Sequence, residues 1–492
     1  MSMSGRLALM SLAVATIIEL FGVVLFFVVI ALTLSLIYEE RDPSTTLAWV
    51  LLLALIPGVG VVLYILFGRN WRLIGATDRK RIAALDRGRE MLAPIYARFA
   101  GPAAQFLAES TPSAQRLSHA IHSQNATEPL PCFDPEVFTS GAEKFERLIG
   151  DIESATDHVH LEYFIWRQDA LTARVCDLLA RKAAEGVEVR VLYDWIGSIA
   201  SGKRQLRRLA KAGARVKADA TEPDRLNYRN HRKIAVIDGR VAYTGGMNMG
   251  QEYIDGGQRF ESWRDTHVRL GGPLVADLQR MFCERWLRTC GEDLFSERYF
   301  PAPAEKPDRR AVWAQLVHSG PESPWPAVRD AFLLAISSAE KRLRIQSPYF
   351  VPDEAIQESL VAQSFAGVDV RFMMTGVPDK KLPWWAANTY IDELTEAGGR
   401  VFQYRAGFMH AKAMTVDGAI AILGTTNFDI RSFALHDELS VVFYDPTIAA
   451  ETDAAFDDDA TRCGELTLQD MHAIGRLARM RNALARLSSR LL

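Results

Sequence analysis

The sequence predicts an α/β protein, with two copies of one α/β sandwich domain preceded by two transmembrane helices. Three observations carry this reading. Two long apolar runs occupy the first 68 residues. The rest of the chain contains one sequence pattern twice. Within each copy, apolar β-rich runs alternate with helix-like stretches, as in a sheet covered by helices.

The apolar runs come first. Leu20 to Tyr38 is nineteen residues without a charge, and a helix needs ~20 to cross the hydrocarbon core. Apolar character extends back to Leu7, interrupted by Glu19, so the first span is expected at about 7–38. The second is expected at 47–67, with Pro57, Gly58 and Gly60 kinking it mid-span. Trp49 and Tyr64 lie near its ends, as interfacial aromatics do. The first run is too long for a cleaved signal peptide, and a second run follows it. Residues 1–68 therefore read as a membrane anchor. The loop EERDPSTT between the runs has one Arg and three acids. Beyond the second run come Arg69, Arg72, Arg79, Lys80, Arg81, Arg87 and Arg89. The positive-inside bias predicts a multi-pass anchor with both termini in the cytoplasm.

Residues 69–130 are helical and basic, a juxtamembrane linker. The first α/β domain is expected at 131–300 and the second at 309–460, joined by the Pro-rich stretch PAPAEKPD at 301–308. GVEVRVLYDW (186–195) matches GVDVRFMMTG (367–376), and AGARV (212–216) matches AGGRV (397–401). HRKIAVIDGRVAYTGGMN (231–248) matches HAKAMTVDGAIAILGTTN (410–427). The offset between these last blocks is 179 residues, a domain and not a solenoid repeat. A pseudo-twofold arrangement follows naturally. Residues 461–492 read as a basic amphipathic helix for anionic lipid. Arg476, Arg479, Arg481, Arg486 and Arg490 accompany Leu477, Met480, Leu484, Leu487 and Leu491 at helical spacing. Trp384, Trp385 and Tyr390, with Lys380 and Lys381 beside them, form another candidate membrane edge.

Composition excludes other classes. Fifty-seven Lys and Arg against 60 Asp and Glu leave a net charge of −3, unlike a dedicated duplex nucleic-acid binder. The five cysteines are scattered without CxxC pairs, so neither a disulfide framework nor a zinc site is expected.

The chemistry sits in the third repeated block. In each copy a His is followed by Lys at +2, Asp at +7 and Asn at +17. The sets are His231, Lys233, Asp238 and Asn248, and His410, Lys412, Asp417 and Asn427. Each block reads as a β-hairpin with an Asp-Gly turn. Residues i and i+2 share a strand face, so His and Lys project together. The Asn returns beside them at the end of the second strand. The Asp sits at the far turn, where its work is turn geometry. Two Lys and two Asn suit the oxygens of a phosphodiester. One imidazole can attack phosphorus while the other protonates the leaving oxygen, with no metal or other cofactor. Thr425 is a further candidate phosphate donor, where the first copy has Gly246. Each histidine needs an orienting group. Asp265 follows His231 by 34 residues and Glu438 follows His410 by 28, and each is expected on the histidine of its own copy.

The doubled HxKxxxxD pattern followed by GGxN or GxxN resembles the phospholipase D superfamily over roughly residues 130–460. LYDWIGS (192–198), NYRNHRKIAVIDG (227–239), SWRDTHVRL (262–270), QSPYFVPDE (346–354) and GFMHAK (407–412) are similar to its bacterial cardiolipin synthases. The resemblance implies two phospholipase D-type domains in a bacterial inner-membrane protein. It places Asp238 and Asp417 with the histidines and lysines in the catalytic motif. It implies phosphatidyl transfer between two phosphatidylglycerol molecules, giving cardiolipin and glycerol. His231 becomes nucleophile and His410 acid/base. One departure is His436, where relatives commonly carry Asn. A membrane-tethered hydrolase using water on phospholipid or nucleic acid is the alternative, and an inactive lipid-binding scaffold is a third. No nucleic-acid partner is expected. Homo-oligomerisation and the choice between phosphatidylglycerol and phosphatidylethanolamine as second substrate stay open.

Overall fold

The structure is a computed structural model. It describes residues 3–39, 43–69, 75, 78–219, 228–302 and 310–489. Arg41, Arg72, Arg490, Leu491 and residues 303–308 of the expected linker lie outside the described residues. The chain divides into two units, residues 1–74 with 221–227, and 75–220 with 228–492.

In the first unit, Met3–Tyr38 is one helix, and Ala13–Tyr38 is long and apolar enough to cross a membrane. The second expected span is not a single helix. It breaks at Ile56 into Pro43–Leu55 and Pro57–Leu63, the latter running into a π-turn over Tyr64–Gly68. The two arms fold back on one another. The Trp49 and Tyr64 rings lie edge to face at 5.5 Å, whereas fifteen residues of straight helix would hold them roughly 22 Å apart. Gly60 is the contact point, because a Cβ there would sit 2.8 Å from the Leu52 carbonyl oxygen. Pro57 removes a helical donor and Gly60 permits the close approach, so the run turns back where a kink was expected. Leu36, Leu53 and Tyr64 form the buried centre of this unit.

The second unit is built on one sheet. Its first-copy strands are β1 (Leu130–Phe138), β2 (His158–Tyr163), β3 (Glu188–Asp194), β4 (Arg215–Asp219), β5 (Arg229–Asn230), β6 (Lys233–Ile237), β7 (Val241–Gly245), β8 (Trp263–Arg264) and β9 (His267–Gly271). The second copy supplies β10 (Ala311–Ser319), β11 (Arg342–Gln346), β12 (Asp369–Thr375), β13 (Arg400–Tyr404), β14 (Phe408–Met409), β15 (Ala413–Val416), β16 (Ile420–Gly424), β17 (His436–Phe443) and β18 (Cys463–Leu466). The order β4-β3-β2-β6-β7-β9-β1 meets its mirror, β10-β17-β16-β15-β11-β12-β13, at an antiparallel β1–β10 seam. Strand order is thus symmetric about the seam, and both copies share one continuous sheet.

Both faces of the sheet are covered. Along β6, Ala235 and Ile237 pack with Phe145, Leu148, Val175 and Leu179 of helices Gly141–Glu153 and Ala170–Ala184. Ile234 and Val236 pack on the other face with Leu278 and Met281 of helix Val275–Cys290. Alternate residues of one strand therefore enter two cores, which is why these strands read as continuous apolar runs.

The region expected as a linker braces the body. Helix Arg79–Glu109 packs Leu92 against Phe282 and Trp286, and Tyr96 donates to Asp277 at 2.6 Å. Helix Pro112–Asn125 buries Leu117 and Ile121 in the second copy's core. The carboxyl-terminal segment is likewise not one amphipathic helix from 461. It is β18, a short turn of helix, and helix Arg476–Leu487. That helix buries Asn482 and Ala485, and Arg481 and Arg486 stack over Trp385 and Tyr390 at 4.6 and 4.5 Å. Leu477, Met480, Leu484 and Leu487 face outward, between 58% and 82% exposed.

The folded-back arms give a direct test. In a Trp49→Cys/Tyr64→Cys variant, a short bis-maleimide links the two cysteines within one chain, as peptide mapping reads. A straight span gives no such link.

Candidate active site

The hairpins position the site. Lys233 opens β6 and Lys412 immediately precedes β15, each two residues after its histidine. β7 and β16 end at Gly245 and Gly424, and the loops beyond deliver Asn248 and Asn427. Both histidines and both asparagines line one cleft of about 640 Å³. The lysines stand behind them, buried, and donate from Nζ to the carbonyls of His231 and His410 at 2.6 and 2.5 Å.

The orienting carboxylates are exchanged between the copies. His231 Nδ1 lies 2.8 Å from Glu438 Oε1, and His410 Nδ1 lies 2.7 Å from Asp265 Oδ2. The expected same-copy pairing is therefore corrected. The physical reason is a pair of reciprocal crossovers. β5 pairs with the start of β17, and β14 pairs with β8. The His231 amide donates to the Asp437 carbonyl at 3.0 Å, and the His410 amide donates to the Arg264 carbonyl at 2.7 Å. Each histidine is thus fastened to the other copy's carboxylate strand. With Nδ1–H given to a carboxylate, Nε2 carries the lone pair for chemistry.

Thr425 departs from its expected role, and the two motif aspartates keep the turn role read from the sequence. Thr425 is fully buried; its hydroxyl donates to Glu438 Oε2 and accepts from the Leu439 amide at 3.0 Å. It holds the carboxylate and is not aimed at a phosphate. At the equivalent Gly246, a Cβ would sit 1.9 Å from Asp265 Oδ1, so glycine makes room for that carboxylate. Asp238 and Asp417 are not in the cleft. Both have φ of 52° at the hairpin turns. Asp238 accepts from the Thr156, Asp157 and His158 amides at 2.8–2.9 Å. Asp417 accepts from the Glu340, Lys341 and Arg342 amides at 2.7–2.9 Å. They staple each hairpin to the loop entering β2 or β11. Burial acts to raise the Asp238 pKa, and the backbone donors outweigh it, leaving it below the ordinary value. Asn248 bonds inward, accepting from the Ile165 amide at 3.0 Å and donating to the Tyr253 hydroxyl at 2.7 Å. Asn427 Oδ1 is buried with no partner among the described residues.

Several site residues lie outside the repeated His–Lys–Asp–Asn pattern. Phe164 packs edge-on against His231 at 4.8 Å, and His436 lies 5.5 Å from the same ring. Trp263, Phe408 and Tyr253 surround His410 at 5.6, 5.6 and 6.2 Å. Trp263 and Phe408 are two residues before Asp265 and His410, so the motif register alone could have found them. His231, His436 and Glu438 also bring ligand-type atoms within 4.8 Å of one another.

The free site is electrostatically poised for an anion. Burial first, and then Lys233, hold His231 well below its ordinary pKa. Burial and Lys412 bring His410 to about 4. Burial lowers Lys233 to about 7 and Lys412 to about 8, against the pull of Glu438 and Asp265. A phosphodiester brings the opposite charge and raises all four.

Both α/β copies match the family model "Cardiolipin synthase, PLD-like domain", at residues 148–286 and 332–460. Residues 23–69 match "Phospholipase_D-nuclease N-terminal". The chain belongs to the phospholipase D-like cardiolipin synthase family. Within that family it is 36% identical to the major cardiolipin synthase ClsA of Bacillus subtilis over 480 residues, 95% of this chain and 98% of the relative. It is 35% identical to a cardiolipin synthase of Oceanobacillus iheyensis, covering 94% and 96%. Its fold is like that of phosphatidylserine synthase from Haemophilus influenzae, at 16% identity and TM-score 0.57. That match covers 77% of this chain and all of the other.

Two measurements test the family site in this chain. Phosphate-analogue affinity, followed with vanadate, is expected to weaken as pH rises from about 7, because the lysines lose the protons the complex needs. A double-mutant cycle on thermal stability is expected to give about 0.5–3 kcal/mol of coupling for His231→Ala with Glu438→Gln. The same-copy pair His231→Ala with Asp265→Asn is expected to add independently.

Proposed function

We propose that this chain is a cardiolipin synthase that moves a phosphatidyl group between two phosphatidylglycerol molecules. The carrying observation is two cleft histidines whose Nδ1 atoms are each bonded to a carboxylate, 2.8 and 2.7 Å away. This supplies a matched nucleophile and acid/base. The names of the curated relatives agree with it.

His231 Nε2 attacks the phosphorus of the first lipid. The P–O bond to its terminal glycerol breaks, and that oxygen takes a proton from His410. Glycerol leaves and a phosphatidyl-histidine remains. A terminal hydroxyl of the second phosphatidylglycerol gives its proton to His410 and attacks the same phosphorus. The P–N bond breaks and cardiolipin forms. Lys233 and Lys412 neutralise the oxygens throughout, and Glu438 and Asp265 steady the two rings.

The body works against the cytoplasmic face of the membrane. The Lys and Arg run after residue 68 supports that side. With one crossing helix and a folded-back pair, the amino terminus falls on the opposite side. The outward Leu477, Met480, Leu484 and Leu487 stripe, flanked by Arg476 and Arg479, suits insertion among anionic head groups.

Three tests apply. Purified protein in phosphatidylglycerol vesicles with chelator is expected to release cardiolipin and glycerol, and His231→Ala and His410→Ala to abolish both. Phosphatidic acid instead would make water the acceptor. Topology reporters at the two termini are expected to read opposite sides. Leu484→Glu with Leu487→Glu is expected to cut turnover on vesicles several-fold while leaving the melting temperature within a few degrees.

A further inference from the structure

The cleft is small for its proposed substrates. At about 640 Å³ it is the size that buries one drug-sized molecule. Two phosphatidylglycerol molecules bring two head groups and four acyl chains. The chains must stay outside, so the mouth of the cleft has to meet them.

One stretch of the mouth has the side chains for that contact. Residues 377–382, Val-Pro-Asp-Lys-Lys-Leu, lead from β12 into helix Lys381–Glu396. Asp379, Lys380, Lys381 and Leu382 line the cleft. Val377 and Leu382 are nonetheless 49% and 41% exposed, and Lys380 and Lys381 are exposed with them. Residues that line a cleft and still face solvent stand on its rim. The one acid of the segment is drawn inward, where Asp379 accepts from the Tyr349 hydroxyl at 2.8 and 2.9 Å. Aliphatic side chains left outside while a carboxylate is drawn in is the reverse of what water favours.

The first copy adds a cation at the same place. Arg259, itself exposed, donates from Nη1 to the Asp379 carbonyl at 3.0 Å and from Nη2 to the Pro378 carbonyl at 2.8 Å. Both acceptors are neutral. Among the described residues, none of Arg259, Lys380 and Lys381 forms an ion pair. The aromatic residues expected at a membrane edge lie elsewhere. Trp384 and Trp385 pack on the second copy's core, and Arg481 and Arg486 cover Trp385 and Tyr390. The exposed part of that stretch is its beginning, at Lys380, Lys381 and Leu382.

We propose that residues 377–382, with Arg259, form the lip on which the cleft meets an anionic bilayer. Val377 and Leu382 enter the acyl boundary, and the three cations meet lipid phosphates. A substrate lipid turns its head group into the cleft while its chains stay in the membrane. This rests on the reaction proposed above.

The test uses full-length protein in phosphatidylglycerol vesicles, with the two partly exposed cysteines removed as Cys290→Ser and Cys463→Ser. A fluorescent label is attached through Val377→Cys, Leu382→Cys or Phe365→Cys. Phe365 is 73% exposed and precedes β12, so roughly 20 Å of strand separates it from the lip. Lipid spin-labelled on the acyl chain is expected to quench the labels at 377 and 382 and to leave the label at 365 unchanged. Unquenched lip labels, or equal quenching at 365, would overturn the proposal. Val377→Asp with Leu382→Asp is expected to lower turnover on vesicles roughly tenfold relative to turnover of short-chain phosphatidylglycerol dispersed as monomers. Equal loss on both substrates, with an unchanged melting temperature, would also overturn it. Lys380→Gln with Lys381→Gln is expected to flatten the fall of vesicle turnover with added salt. A salt dependence equal to that of wild type would overturn the part given to the lysines. Wild type that releases no glycerol from either lipid would instead refute the reaction, while the quenching still reads the lip.

Discussion

The exchange of carboxylates between the two halves is the constraint on which the rest depends. Glu438 reaches His231 and Asp265 reaches His410 across the pseudo-twofold. Each half's histidine is held by a carboxylate of the other half. The β1–β10 seam, the mirrored strand order and the crossovers at β5 and β14 bring the two histidines into one cleft, with the two carboxylates buried against them. A hydrogen bond to a buried charged group contributes about 1.5–3 kcal/mol. The exchange therefore ties the geometry of the cleft to the integrity of the seam.

Electrostatics follow from the same closure. Bringing two lysines and two imidazoles into one buried space discharges them in part, because burial and like charge both disfavour cations. The free enzyme holds this cost in reserve. An anion beside these groups favours their protonated forms. The asparagines divide unequally. Asn248 is held between Ile165 and Tyr253, while Asn427 Oδ1 has no partner among the described residues. The two halves are alike in backbone and different in side chains.

Each unit exposes apolar surface of its own. The amino-terminal unit offers one helix of membrane-crossing length and a pair of short arms folded at Pro57. The body offers a helix held down by polar and cationic contacts, with its leucines turned outward. Packing by the polar face and exposure of the apolar face reverses the usual order for a surface helix in water. It is the order expected beside a bilayer.

The sequence by itself determined the duplication, the hairpins and the placing of a His–Lys pair at the head of each hairpin. His231, Lys233, His410 and Lys412 were legible because i, i+2 alternation on a strand is local, and because their recurrence 179 residues apart is improbable without shared chemistry. The turn role of Asp238 and Asp417 was legible for the same reason, since an Asp-Gly turn is set by neighbouring residues. The alternation of strand and helix gave the sandwich. Only the tertiary structure decided which carboxylate serves which histidine, because sequence distance says nothing about a crossover between equivalent loops. It also decided that Thr425 supports Glu438, that helices Arg79–Glu109 and Pro112–Asn125 brace the body, and that the second apolar run folds back at Pro57. Those outcomes depend on which surfaces meet, and an apolar run or a threonine carries no record of its partner.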